Sequence, residues 1–136
     1  MRTMGLDYGT KRIGVAISDE LGITAQGITV IKRSDLDKDI YRIKELVSDY
    51  EVNEIVIGVP KKMDGSMGPM AKEVENFISK IKEEIDISVQ MQDERLSSKA
   101  VERTLLEGDV TRKKRKQVMD KMAAAYMLQG YLDSTK

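Results

Sequence analysis

The feature that most constrains the fold is a run in the middle of the chain, Glu54 to Val59, with the sequence EIVIGV. After its first residue the run is entirely apolar and lacks the polar alternation of a strand with one face in water. Runs of this kind are typical of strands buried on both faces, as in parallel sheets covered by helices. Pro60 follows and is expected to end the strand. The run therefore predicts an α/β protein with a central sheet.

The N-terminal third of the chain predicts three more strands. Alternating apolar residues lead up to Asp7, and Gly9 breaks the pattern just after it. Arg12 to Ser18 is expected to form a second strand, and Ile23 to Ile31 a third that is interrupted by Gly27. The chain should thus open with a three-stranded antiparallel meander, which makes the sheet mixed.

Two amphipathic helices are expected against this sheet. The first follows Ser34, a good N-cap, and the second begins at Pro69, a residue favoured at the first helical position. Their apolar residues recur at helical spacing: Ile40, Ile43, Leu46, Val47 and Tyr50, then Met70, Val74, Phe77, Ile78, Ile81 and Ile85. A strand from Ile87 to Met91 comes next, so this part of the chain predicts a parallel crossover.

The C-terminal part predicts two helices separated by a basic loop. A short helix capped by Ser97 or Ser98 should stop at Gly108. From Val118 to Leu132 apolar residues occur on nearly every face, which predicts a buried helix. Because the chain has 136 residues and shows no linker or repeat, one domain over residues 1–136 is expected.

The absence of cysteine and histidine restricts the chemistry. It excludes thiol nucleophiles, disulfides and serine–histidine triads. It also excludes the usual zinc sites, which leaves hard cations with oxygen ligands, such as Mg²⁺ or Mn²⁺. Lys+Arg and Asp+Glu balance at 23 each, so any contact with nucleic acid must depend on local charge. No segment approaches the roughly 20 apolar residues of a membrane helix, and a cytoplasmic protein is expected.

Acidic residues stand at the ends of two predicted strands. Asp7 precedes Gly9, which would let a metal or ligand approach the backbone, although an Asp in this position also suits a local turn. Asp93 and Glu94 follow the strand from Ile87. Glu94 continues the polar face of that strand, so we favour it as a metal ligand, with Asp93 as a supporting group or a turn residue. Arg95 suits pairing with a carboxylate or a phosphate.

Asp120 is an unusual carboxylate because Ala123, Ala124, Met127 and Leu128 share its helical face. A carboxylate buried there needs a partner. The alternative is an Asp in the first turn of a helix that starts near Lys116, where the helix dipole contributes about 0.3–1 kcal/mol. Converging acids repel one another unless a cation lies between them, and such a group suits two-metal hydrolysis of phosphodiesters.

Five consecutive cations, Arg112, Lys113, Lys114, Arg115 and Lys116, precede the last predicted helix. The helix dipole disfavours cations at this end, so a polyanion would offset the cost, although a solvated charge run is the usual explanation. Aromatic residues make up only 4% of the chain, which favours recognition of backbone phosphates over base stacking.

Four blocks together resemble the YqgF family of RuvC-like proteins: LDYGTKRIGVA (Leu6 to Ala16), GVPKKMDGSMGPMA (Gly58 to Ala71), DERLSS (Asp93 to Ser98) and RKKRKQVMDKMAAAYMLQGYL (Arg112 to Leu132). The resemblance implies a ribonuclease H-like fold with Asp7, Glu94 and Asp120 as catalytic metal ligands. RuvC-type nucleases carry a fourth acid on the last helix, where this chain has Ala123.

The resemblance also implies a function and its partners. The family is described as nucleases that mature the 5′ end of pre-16S ribosomal RNA, and as Holliday junction resolvases acting on branched DNA. Nucleic-acid contacts are expected from the basic run and from Lys11, Arg12 and Arg95. A monomer or homodimer without membrane association is expected. A non-catalytic RNA-binding module is the alternative of another class.

Overall fold

A mixed five-stranded sheet forms the centre of the computed structural model, which describes residues 2–9, 11–59, 71–93 and 112–135. The strands are β1 (Arg2–Tyr8), β2 (Arg12–Ser18), β3 (Ala25–Lys32), β4 (Val52–Val59) and β5 (Ser88–Asp93). The helices in these residues are α1 (Leu36–Asp49), α2 (Ala71–Glu84) and α3 (Arg112–Ser134). The strand order is β3-β2-β1-β4-β5. Strands β1 to β3 pair antiparallel, whereas β1, β4 and β5 pair parallel, which confirms the predicted α/β fold.

Strand β4 is buried on both faces, as its apolar run predicts. Ile55 and Ile57 pack in the core between the sheet and helices α1 and α2. Val56 packs in a second core on the opposite face, under α3. All three side chains are fully buried, so one strand contributes to both layers. Pro60 lies outside the described residues.

Two predicted boundaries in the N-terminal half are wrong by one or two residues. Asp35, not Ser34, caps α1, since its side chain accepts a hydrogen bond from the Lys38 amide at 2.9 Å. Ser34 instead donates to the buried carboxylate of Asp39. Strand β3 begins at Ala25, because Ile23 lies in the preceding turn and is exposed.

Helix α3 lies directly on the sheet because three neighbouring strands present glycine beneath it. A Cβ on Gly5 would lie 2.9 Å from Leu128 Cβ, and one on Gly27 would lie 2.7 Å from the Lys121 carbonyl oxygen. A Cβ on Gly14 would overlap the Asp120 carbonyl oxygen. These glycines therefore set how closely the backbone of α3 approaches β1, β2 and β3.

Two expectations about the C-terminal part are wrong. The basic run is not a loop, since α3 begins at Arg112. The helix is not buried all round either, because it covers one face of the sheet and leaves Val118 and Tyr126 exposed. The predicted short helix between Ser97 or Ser98 and Gly108 lies outside the described residues, as does Pro69. Among the described helices, none is long and apolar enough to cross a membrane.

Candidate functional site

Asp7 lies on the face of the sheet that α3 covers. Met4, Leu6 and Tyr8 belong to the core on the α1 and α2 side, so the alternation of β1 turns Asp7 to the other side. Its register partners are Gly14 on β2 and Gly58 on β4. Neither neighbour has a side chain, and the backbone of α3 at Asp120 fills the space over Gly14, beside the half-buried Asp7. In the sequence, Gly14 in GVA and Gly58 in GVP were the signal that the positions beside Asp7 carry no side chain.

Asp120 is brought to the same place by α3. Its carbonyl oxygen lies against Gly14, the residue opposite Asp7, and its side chain is 22% exposed. Because α3 starts at Arg112, Asp120 falls in the third helical turn, and no acid lies in the first. The dipole explanation for Asp120 is therefore wrong, since that effect fades beyond the first turn. The structure thus places two of the three predicted metal ligands over adjacent strands on one face.

Arg12 forms an ion pair with Asp120. Its Nε donates to Asp120 Oδ2 at 2.5 Å, across 108 positions of sequence. Arg12 lies two residues before Gly14 on β2, so it shares the α3 face and is a diagonal neighbour of Asp7. We expected Arg12 to contact nucleic acid, but the structure gives its guanidinium a carboxylate partner. Lys11 is exposed in the bend before β2.

The third predicted ligand, Glu94, lies outside the described residues, as does Arg95. Asp7, Gly58 and Gln92 form one row across β1, β4 and β5, and β5 ends one residue later at Asp93. The Cα atoms at the two ends of this row are about 10 Å apart, two strand spacings. Strand β5 therefore ends at the same end of the sheet as Asp7. The choice between Asp93 and Glu94 as ligand remains a prediction.

The donor set fits a hard cation. In the part of the chain that the structure describes, no group of three or more His, Cys, Asp or Glu side chains forms a metal cage. Two acids of the predicted set, Asp7 and Asp120, lie within it, and both offer carboxylate oxygens, the ligands that Mg²⁺ and Mn²⁺ prefer.

A buried ion pair supports β1 from the opposite face of the sheet. Arg33 Nη1 donates to the Tyr8 hydroxyl at 2.7 Å and to the Gly9 carbonyl at 3.3 Å. Arg33 Nε lies 3.4 Å from the carboxylate of Asp39, which is only 2% exposed. Burial raises the pKa of the Tyr8 hydroxyl, and the nearby guanidinium partly offsets this. Sequence reasoning missed this network, since nothing in the local pattern links Arg33 to β1.

The basic run forms the start of α3. Lys116 lies one turn before Asp120 and Arg112 about two turns before it, so the run begins about 12 Å from Asp120 along the helix axis. Asp120 and the five cations therefore belong to one rigid element.

This mixed five-stranded sheet, with α3 on one face and α1 and α2 on the other, is a ribonuclease H-like fold of the RuvC type. Thermus thermophilus RuvC in complex with a Holliday junction substrate superposes with a TM-score of 0.59 at 15% identity, covering 99% of this chain and 95% of that one. This likeness shows the fold.

The chain belongs to the family described as "RuvX: Holliday junction resolvase", which matches residues 1–134. A relative from Halothermothrix orenii is 56% identical over 133 residues, covering 98% of this chain and 95% of its own. A relative from Natranaerobius thermophilus is 54% identical over 133 residues, covering 98% and 94%. Both carry the name "Putative pre-16S rRNA nuclease". The resemblance noted in the sequence is confirmed.

Proposed function

We propose that this protein is a metal-dependent nuclease that processes the 5′ end of pre-16S ribosomal RNA. The observation that carries this proposal is the placement of Asp7 and Asp120 on one face of the sheet: Asp7 is the register partner of Gly14 on the neighbouring strand, and Asp120 lies over Gly14. Separate rigid elements thus bring two half-buried carboxylates to one place, an arrangement that suits a shared hard cation.

Asp7, Glu94 and Asp120 would hold Mg²⁺ or Mn²⁺, and Asp93 would support them. The ion, when bound, would activate water and stabilise charge at the phosphate. The position of the fourth RuvC-type acid is Ala123, which is 4% exposed and packs with Met119 and Met122. Because that position offers no oxygen, we expect a second ion to bind more weakly than the first.

The cations near the site would position the nucleic acid. The chain has no net charge, so binding must depend on the local run Arg112–Lys116 and on Lys11, Arg12 and Arg95. Since the run and Asp120 share α3, phosphates held by the run would lie at a set distance from the acidic site. Contacts of this kind fix register on a backbone and leave base sequence largely unread.

RNA is favoured over branched DNA by the relatives. Those named for pre-16S rRNA are 54–56% identical over nearly the whole chain, whereas RuvC with its junction is 15% identical. Junction cleavage remains the second candidate because the family description names it. It would require a symmetric dimer that places two acidic sites on opposing strands.

The test is cleavage of a labelled pre-16S fragment and of a DNA four-way junction with Mg²⁺ or Mn²⁺. Asp7→Asn keeps the shape of the side chain and should lower cleavage by about a hundredfold or more. Asp49→Asn, at the exposed end of α1, is the matched control and should cleave like the wild type.

The outcomes separate the candidates. Metal-dependent cutting of the RNA that is lost in Asp7→Asn and kept in Asp49→Asn supports the proposal. Cutting of the junction alone selects the resolvase. RNA binding without any cleavage selects the binding module, provided that neutralising Arg112–Lys116 abolishes the binding. Equal cutting by Asp7→Asn overturns the carboxylate mechanism.

A further inference from the structure

We propose that Arg12 is an internal counter-cation that competes with the divalent ion for Asp120 and thereby sets the metal affinity of the site. This inference rests on the proposed function, in which Asp120 is a metal ligand. It concerns a residue whose expected role was contact with nucleic acid only.

The ion pair is short and partly shielded from water. Arg12 Nε lies 2.5 Å from Asp120 Oδ2, and the two side chains are 32% and 22% exposed. Hydrogen bonds between charged groups at this distance are among the strongest in proteins. Partial burial also reduces the solvent screening because of which exposed ion pairs contribute little to stability. The pair is therefore expected to persist in solution.

The position of the guanidinium makes it a competitor. Arg12 reaches Asp120 from β2, on the same face as Asp7, so its charge lies among the carboxylates that would bind the ion. A divalent ion at Asp120 must either displace Arg12 from Oδ2 or tolerate a unit positive charge a few ångströms away. Both cost binding free energy.

A contrasting role for Arg12 predicts the opposite sign. If Arg12 held Asp120 in the rotamer that the ion requires, removing it would weaken metal binding. Competition predicts that removing it strengthens metal binding. For charges of +1 and +2 about 6 Å apart in a water-like dielectric, the gain is about tenfold, and it is larger if the site is drier.

Competition also links the metal to the substrate. An ion that displaces Arg12 from Asp120 leaves the guanidinium available to form hydrogen bonds with a phosphate. Arg12 would then contact nucleic acid only after the metal has bound. Linkage requires the effect to be reciprocal, so the ion should raise affinity for RNA through Arg12.

The experiment measures binding of Mn²⁺ alone by isothermal titration calorimetry, with circular dichroism to check folding. Arg12→Gln should bind Mn²⁺ about tenfold more tightly than the wild type. Arg12→Lys keeps the charge and should stay within about threefold of the wild type.

A matched control is available at the other end of β1. Arg2 is also 32% exposed and pairs with Glu20 at 3.7 Å. It lies five residues from Asp7, about 17 Å along the strand and beyond the Debye length at physiological salt. Arg2→Gln removes the same charge and should leave the Mn²⁺ affinity within about twofold.

Each result has a distinct meaning. Weaker or unchanged Mn²⁺ binding by folded Arg12→Gln overturns the competition. If Arg12→Gln does not fold, Arg12→Lys provides the test. Because Arg12→Lys keeps the charge, tenfold tighter Mn²⁺ binding by that variant would contradict a charge effect. Asp120→Asn should weaken binding. If the wild type binds no Mn²⁺, the proposed function fails and this inference fails with it. If the wild type binds Mn²⁺ and Arg12→Gln does not bind it more tightly, only this inference fails.

A second readout uses Ca²⁺, with single-stranded RNA as the probe. Calcium should raise the RNA affinity of the wild type by more than that of Arg12→Gln. An equal increase in both proteins would contradict the release of Arg12 to phosphate.

Discussion

Replacing Gly14 by alanine tests the close packing that brings Asp120 to Asp7. An added Cβ would overlap the Asp120 carbonyl oxygen and lie 2.9 Å from its carbonyl carbon and 3.4 Å from Ala124 Cβ. The nearest obstacle is backbone inside a helix, which cannot turn aside as a flexible side chain can. We therefore expect Gly14→Ala to lift α3 from the sheet.

The cost follows from the size of that displacement. Restoring ordinary contact requires α3 to move by about 1 Å or more, and overpacking of this kind costs about 1–3 kcal/mol. Since the clash is with backbone, we expect the upper end, about 3 kcal/mol, or a fall in Tm of roughly 10 °C for a chain of this size. A shift of about 1 Å at Asp120 should also lower cleavage by about a hundredfold.

The assay is urea unfolding followed by circular dichroism, with cleavage measured on the same samples. Gly130→Ala is the matched control, because Gly130 lies in α3 with nothing within 4 Å of an added Cβ. There the better helix propensity of alanine should stabilise the protein by about 0.5–1 kcal/mol. If Gly14→Ala stays within about 0.5 kcal/mol of the wild type and keeps full activity, the close-packing argument is wrong.

Three further predictions concern the buried network and the basic run. Arg33→Met should lower the free energy of unfolding by about 3 kcal/mol, measured in urea, because it leaves the buried Asp39 carboxylate without its cation. Adding Asp39→Asn to Arg33→Met should recover part of this loss. Since burial raises the Tyr8 pKa, the folded state holds the hydroxyl proton more tightly than the unfolded state. The free energy of unfolding should therefore fall as pH rises above about 10. The fall should be less steep in Tyr8→Phe, and unfolding measured over the same pH series for both proteins would show the difference. Changing all five cations of Arg112–Lys116 to glutamine should lower the salt slope of RNA binding by about 4, and a change below about 1 would mean that the run does not contact phosphates.

Local signals in the sequence predict the strands well. The boundaries of β2, Arg12–Ser18, agree with the prediction, and the apolar run in β4 is buried on both faces as expected. These elements are short and their side-chain period is set by the backbone, so neighbouring residues carry the information. The N-cap of α1 was harder, because Ser34 and Asp35 are both good caps and only contact with Asp39 separates them.

Helix α3 shows where local reasoning fails. We expected a basic loop before a helix from Val118, yet the helix begins at Arg112, although the dipole disfavours cations in its first turns. A helix start near Lys116 would also have put Asp120 in the first turn, where the helix dipole could account for its position. Helices in proteins are stabilised mostly by tertiary packing, and α3 packs on strands that come about 100 residues earlier.

The sequence by itself determined the type of most elements and the chemistry open to the site, because side-chain period and the absence of histidine and cysteine are local or compositional facts. Only the tertiary structure decided which groups meet. It packs α3 on the glycines of three strands, places Asp120 over Gly14, the register partner of Asp7, and pairs Arg12 with Asp120 across 108 positions. Contacts between residues so far apart depend on how the layers pack, and no local pattern records that.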